Sequence, residues 1–247
     1  MSNAITDFIA RWKASGGSER ANSQMFLTEL CDVLELPRPD PARPINEENI
    51  YAFARKIYAE GGDGTAELKE PDLYRKGCFV LESKQGQDKA ASRRLPGTTV
   101  SSAVKRDSPT WEAAMQRAKR QGENYIRCLP AKEGRPPFLI VSDVGFCFDI
   151  YSEFTCTGGL YLHFPDARSF RVKLDDLEKP ETRALFQAIW NDPLSLDPSR
   201  RAAKVTEEVA ARLAELARLL EADGHDPERV SHFLMRCIFT MFAEDVS

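Results

Sequence analysis

Apolar residues return at three- and four-residue steps in 4–14 and again in 20–35, where Phe26, Leu27, Leu30, Val33 and Leu34 mark one face. Both stretches predict helices, the second closed by Pro37 and Pro39. After a proline-rich connector, Tyr51 and Phe53 alternate as in a strand within 50–58, and a glycine-rich loop follows at 61–64. The compact run CFVLESK, residues 78–84, lies between Gly77 and Gly86 and predicts a buried strand. Polar residues then dominate 85–107, a long loop. Ser108 followed by Pro109 places a capping hydroxyl before a proline at the first helical position, so a helix runs from about 109 to 127. FLIVSDVGFCFDIY, 138–151, reads as two apolar strands around a tight turn at Asp143 to Gly145, with another strand near Phe170 to Leu174.

Beyond residue 175 the pattern is helical only. Val205, Val209, Leu213, Leu216 and Leu220 form one stripe, and Val230, Phe233, Leu234, Cys237, Ile238, Met241 and Phe242 form a second. This order predicts a mixed α/β domain over 1–175, its sheet flanked by helices, followed by an all-α spacer over 176–247. The second stripe is larger than one partner helix covers, which predicts self-association through 205–246.

Of the 247 residues, 42% are hydrophobic and 29% charged, which excludes disordered, collagenous and disulfide-scaffold classes. No apolar run has the roughly 18 to 20 residues of a membrane helix, and no targeting segment opens the chain, so a cytoplasmic protein is expected. The six cysteines show no CxxC pairing, and with three histidines a structural zinc site is not expected. The net charge of −4 conceals a segregation: 75–135 holds fourteen Lys plus Arg against six Asp plus Glu, a net +8, leaving −12 elsewhere. Such a segment is either a solvated basic loop or a surface for polyanions.

The chemistry concentrates in PDLYRKGCFVLESK. Side chains alternate along a strand, so Glu82 and Lys84 share one face while Phe79, Leu81 and Ser83 take the other. Asp72, ten residues before Glu82, enters from the preceding arm and completes a set of two carboxylates and an ammonium. Two carboxylates suit a hard cation such as Mg2+, and Lys84 can orient a water and stabilise developing negative charge. A lone E-x-K is weak, as Glu67-Leu68-Lys69 illustrates: it lies in a polar stretch, expected to be a loop, with Ile57 where the aspartate would be. In the following helix Gln121 and Tyr125, four residues apart, are expected to point inward toward a phosphate or Lys84. Taken singly, these features have plainer accounts, a surface ion pair and a buried tyrosine with a satisfied hydroxyl.

D-x9-E-x-K on a strand with Q-x3-Y on the next helix resembles the PD-(D/E)xK nucleases, in particular the RecB-like branch. SERANSQMFLTEL before the motif, its DLY start and RCIFTMFAED near the end occur in the order seen in the MmeI-like family of single-chain restriction-modification enzymes. That resemblance implies a restriction-endonuclease-like fold and a Mg2+-dependent endonuclease on double-stranded DNA. It places Asp72, Glu82, Lys84, Gln121 and Tyr125 in the active site, with Asp72 and Glu82 as metal ligands. Glu19 and Glu29 fall where such nucleases place a further carboxylate, Glu19 being preferred. The chain has no (D/N)PP(Y/F) motif, since RPPF at 135–138 lacks the Asp or Asn, and no glycine-rich AdoMet loop. AdoMet, the methyltransferase and the target-recognition domain are therefore expected only in a longer protein of which this is the nuclease and part of the spacer. The alternative is an inactive nuclease-like module that binds DNA and docks a phage-defence methyltransferase.

Overall fold

The computed structural model of the chain describes residues 2–15, 19–60, 66–86 and 105–244. The expected loop at 61–64, and residues 87–104 of the one expected at 85–107, lie outside them. The described chain divides into two compact units, 1–194 and 195–247.

The first unit opens with helices α1 (Ser2–Ala14) and α2 (Glu19–Val33). The strands that follow are β1 (Tyr51–Phe53), β2 (Ile57–Glu60), β3 (Ala66–Lys69), β4 (Leu73–Arg75) and β5 (Phe79–Lys84). Helix α3 (Pro109–Cys128) leads to β6 (Phe138–Asp143), β7 (Cys147–Ser152), β8 (Leu162–His163) and β9 (Arg171–Lys173), and α4 (Pro180–Asn191) closes the unit. The main sheet runs β1-β4-β5-β6-β7-β8, with β9 also on β7. Its pairs are antiparallel except β5 with β6, which are parallel. A parallel pair needs a crossover, and α3 supplies it. The α/β class with helices flanking a mixed sheet is thus the one the periodicities predict.

The two faces bury different layers. On one, Tyr51, Phe79 and Phe148 meet aromatic rings from the terminal helices: Phe26 stacks on Phe148 at 5.7 Å, Phe186 meets it edge-on at 5.1 Å, and Trp190 lies 4.2 Å from Phe79. On the other, Tyr74, Val80, Leu139, Val141 and Tyr151 pack under Trp111, Met115, Ala118, Tyr125 and Ile126 of α3. Gly122 permits that approach, since a Cβ there would sit 2.4 Å from Leu139.

Three expectations change. The mixed strand reading over 50–58 resolves into β1 and β2, separated by Ala54 at a positive φ of 47°. Glu67-Leu68-Lys69 is not loop but β3, paired with β2 through Ile57 opposite Lys69 in a separate two-stranded sheet. It reads as polar because it lies off the main sheet, with Leu68 exposed. The boundary near 175 falls before α4, whose Phe186, Ile189 and Trp190 are fully buried, so the compact unit extends to Leu194.

The second unit holds α5 (Pro198–Ala222) and α6 (Pro227–Glu244). Asp197 caps α5 by accepting from Ser199 N–H at 2.9 Å. Val230 and Leu234 are buried and Ile238 half-buried, and they line a shallow groove with Leu213, Ala214 and Ala217. The expected stripe therefore splits: Phe233 leaves it and is exposed, with Met235 and Phe239. The side chains of Met241 and Phe242 lie outside the described residues. No helix among the described residues is long and apolar enough to cross a membrane.

Candidate active site at the ends of β4 and β5

Asp72 immediately precedes β4, and Glu82 and Lys84 occupy the last turn of the pleat in β5. Leu73 is opposite Leu81 in the antiparallel register, which brings Asp72 beside the Glu82 end of β5. The Asp72 carboxylate is fixed there by Ser83 N–H, which donates to its Oδ2 at 2.6 Å. Lys84 Nζ donates to Glu82 Oε1 at 3.0 Å, with the Glu82 side chain 4% exposed and that of Lys84 25%. A buried carboxylate thus lies at the foot of the site and a partly exposed ammonium at its mouth.

Burial pushes the Asp72 carboxyl up from its ordinary range, against the Ser83 hydrogen bond and the nearby Lys84 charge, which draw it down. Burial likewise raises Tyr125, whose hydroxyl feels Glu82, Lys84 and Asp72 together. The charges of Asp72, Glu82 and Lys84, from the start of β4 and the end of β5, thus act on a hydroxyl carried by α3. Gln121 departs from expectation: it is exposed rather than inward, and its Nε2 donates to the Tyr125 hydroxyl. At four residues' separation the longer amide reaches over the buried phenol from the solvent side of α3.

The expected further carboxylates do not join them. Glu29 accepts from Trp12 Nε1 at 2.8 Å and pairs with Arg11 at 3.0 Å, so it ties α2 to α1. Glu19 opens α2, and its side chain lies outside the described residues. Among the described residues no group of three or more His, Cys, Asp or Glu side chains forms a metal-sized cluster. Asp72 and Glu82 together offer hard oxygen donors and no soft ones, a set that matches Mg2+, which typically takes one or two protein carboxylates and completes its shell with water and phosphate.

Asp143 was legible only as part of a turn, yet it is a fully buried hub beside the site. It is opposite Lys84 in the β5–β6 register. Trp111 Nε1 donates to its Oδ2 at 2.6 Å, and Arg106 Nη2 and Gly86 N–H donate to its Oδ1 at 3.0 and 3.1 Å. One carboxylate thereby joins the end of β5, the start of α3 and the guanidinium before it. A Cβ on Gly86 would lie 2.8 Å from both Asp143 Oδ2 and Arg106 Cγ, so the glycine is required by space. Farther along the same face Arg171 forks onto Asp149 at 2.6 and 2.7 Å and lies over the Trp111 ring at 4.6 Å. These pairs depend on long-range pairing, which local periodicity does not reveal.

Compared with known families, residues 2–223 match the model described as MmeI, N-terminal domain. No curated protein and no solved structure matches the chain.

Proposed function

The chain belongs to the family of MmeI N-terminal domains, which sets it in a restriction-modification context, and from that premise we propose that it is a Mg2+-dependent endonuclease acting on double-stranded DNA. One observation carries the reading: Asp72, Glu82 and Lys84, from adjacent strands, converge with Tyr125 at one end of the sheet.

Asp72 and Glu82 are the residues that would hold the cation, through oxygens held on the rigid β4–β5 pair. When bound, Mg2+ would supply a water of lowered pKa and positive charge for the phosphate. The protein's own part is electrostatic and positional. Glu82 aims the Lys84 ammonium, and Lys84 keeps a proton-bearing donor at the open side of the site, where a non-bridging phosphate oxygen gains negative charge. Ser83 N–H holds one Asp72 oxygen and so limits the rotation of that carboxylate. Gln121 orients the Tyr125 hydroxyl at the rim, next to where a phosphodiester would lie.

Plasmid nicking by the purified chain, with Mg2+ and with EDTA, tests the proposal against a Lys84→Ala variant. Cleavage by the wild type alone, and only with Mg2+, is the expected result. Equal inactivity of both proteins while DNA is still bound would instead support a nuclease-like module that docks a methyltransferase.

A further inference from the structure

The net +8 of residues 75–135 is not all available to a partner. Arg75 lies over the Tyr51 ring at 4.6 Å, Lys84 is on Glu82, Arg106 on Asp143 and Lys119 on Glu123 at 2.7 Å. Arg135 Nη1 donates to the Leu129 carbonyl at 2.8 Å. What reaches solvent is more local. Along α3 the exposed residues from Ala113 onward are Ala113, Arg117, Arg120, Gln121, Asn124 and Arg127: three guanidiniums, two amides and no carboxylate. Of the two acids of this helix, Glu112 turns toward Arg171 at 3.0 Å, and Glu123 is buried against Lys119 at 2.7 Å and reached by Arg127 at 3.5 Å, the Arg127 side chain remaining 57% exposed. An exposed helical face in a chain with more acids than bases ordinarily alternates in sign, so a face without acids is a surface shaped for an anion.

Its position gives that anion an identity. Gln121 belongs to this ridge and also to the site, because its amide holds the Tyr125 hydroxyl. We propose that the α3 ridge formed by Arg117, Arg120, Asn124 and Arg127 is the track on which the sugar-phosphate backbone of duplex DNA lies as it passes the Asp72–Glu82–Lys84 site. At about 1.5 Å per residue the ridge from Arg117 to Arg127 is about 15 Å long, which matches roughly four nucleotides of one strand at about 3.4 Å each. Arginine forks grip phosphate oxygens in pairs, and the amides add neutral donors. Contacts to phosphates carry no sequence information, so binding through the ridge is expected to be indifferent to sequence. This inference rests on the endonuclease reading for the identity of the polyanion.

The test is binding of a fluorescein-labelled 20-base-pair duplex in EDTA, followed by anisotropy across a salt series, so that no cleavage is needed. Arg117→Gln/Arg120→Gln is compared with Arg168→Gln/Arg201→Gln, which removes the same charge at exposed positions elsewhere. The ridge pair is expected to weaken binding and to flatten the slope of log affinity against log salt by about 2, near 0.9 for each lost phosphate contact, while the control pair leaves both unchanged. Equal effects from the two pairs, or no effect from the ridge pair, would overturn the inference. A wild type that cleaves with Mg2+ while the ridge pair binds normally sinks the ridge and spares the endonuclease. A wild type that binds through the ridge and never cleaves does the reverse.

Discussion

Lys84 and Asp143 face each other across the parallel β5–β6 pair of the main sheet, and each is committed to a different network, Lys84 to the Glu82 carboxylate and Asp143 to Trp111, Arg106 and Gly86. The Lys84 ammonium is thus placed beside a carboxylate that accepts from three separate groups. In the proposed nuclease, chemistry would sit on one strand and rigidity on its neighbour.

Removing either Asp72 or Glu82 should abolish cleavage and lower Mg2+ affinity in calorimetric titration, because each takes away one hard oxygen ligand. Lys84→Ala should keep Mg2+ affinity and slow cleavage by on the order of a hundred-fold or more. Unchanged Mg2+ affinity in both carboxylate variants would exclude them as ligands. Asp72→Asn should show a trade: burial raises this carboxyl, so the ionised form costs stability once pH rises past the ordinary aspartate range. The amide retains an acceptor for Ser83 N–H without the charge. Its thermal midpoint at pH 7 should exceed that of the wild type, and the advantage should vanish in acid.

Asp143→Ala strands the Arg106 guanidinium in a buried place, a loss of about 3–5 kcal/mol. Gly86→Ala should cost about 1–3 kcal/mol through the close contacts its Cβ would make. Urea unfolding measures both, and a change within about 0.5 kcal/mol for either variant, the range of a neutral surface site, would mean that this junction relaxes freely.

Glu133 gives the chain an acid-sensitive joint. The Arg55 fork reaches it at 2.5 and 2.6 Å, the Tyr74 hydroxyl at 3.0 Å, and the side chains of Arg55 and Glu133 are 2% and 5% exposed. Burial acts to raise the Glu133 carboxyl, but the Arg55 and Tyr74 contacts prevail and hold it below its usual value. A depressed carboxyl contributes stability above its unfolded pKa, and that contribution is lost as pH falls through the folded value. Glu133→Gln should therefore destabilise the fold by about 3–5 kcal/mol near neutrality, and the gap from wild type should close in acid. Parallel urea curves at neutral and acidic pH would show it, and a gap independent of pH would refute the assignment.

In the second unit Phe233, Met235 and Phe239 are exposed, Phe239 at 71%. Met235 and Phe239, four residues apart, share one side of α6, and apolar side chains exposed together in this way favour self-association. Sedimentation velocity should show mass rising with concentration, and Phe233→Glu/Phe239→Glu should suppress it. A wild type that stays monomeric at high concentration would remove the expectation.

The sequence displays what depends on neighbours a few residues apart. Ser108 and Pro109 announce α3 because capping is local, and Ser108 Oγ indeed accepts from Trp111 N–H at 3.2 Å. Alternation in FVLESK reveals which residues share a face. The β5–β6 parallel pairing is contributed from opposite sides of α3, so the partnership of Lys84 with Asp143 leaves no local trace. Gln121 shows a different limit: a helical period assigns a residue to a sector, but a long amide at the sector's edge can remain in solvent and still reach inward. The position of α4 was hidden too, because an amphipathic helix reads the same whether it covers a sheet or another helix.

Gly86 and Arg106 meet on the Asp143 carboxylate, so two positions twenty residues apart in the chain are pinned to one point of the sheet. The chain entropy lost in such a closure grows only logarithmically with the length enclosed, about 0.6 kcal/mol for each doubling. Asp143 therefore acts as a clasp: the end of β5 and the approach to α3 are fixed by one buried group on β6, and a single substitution there would release both at once.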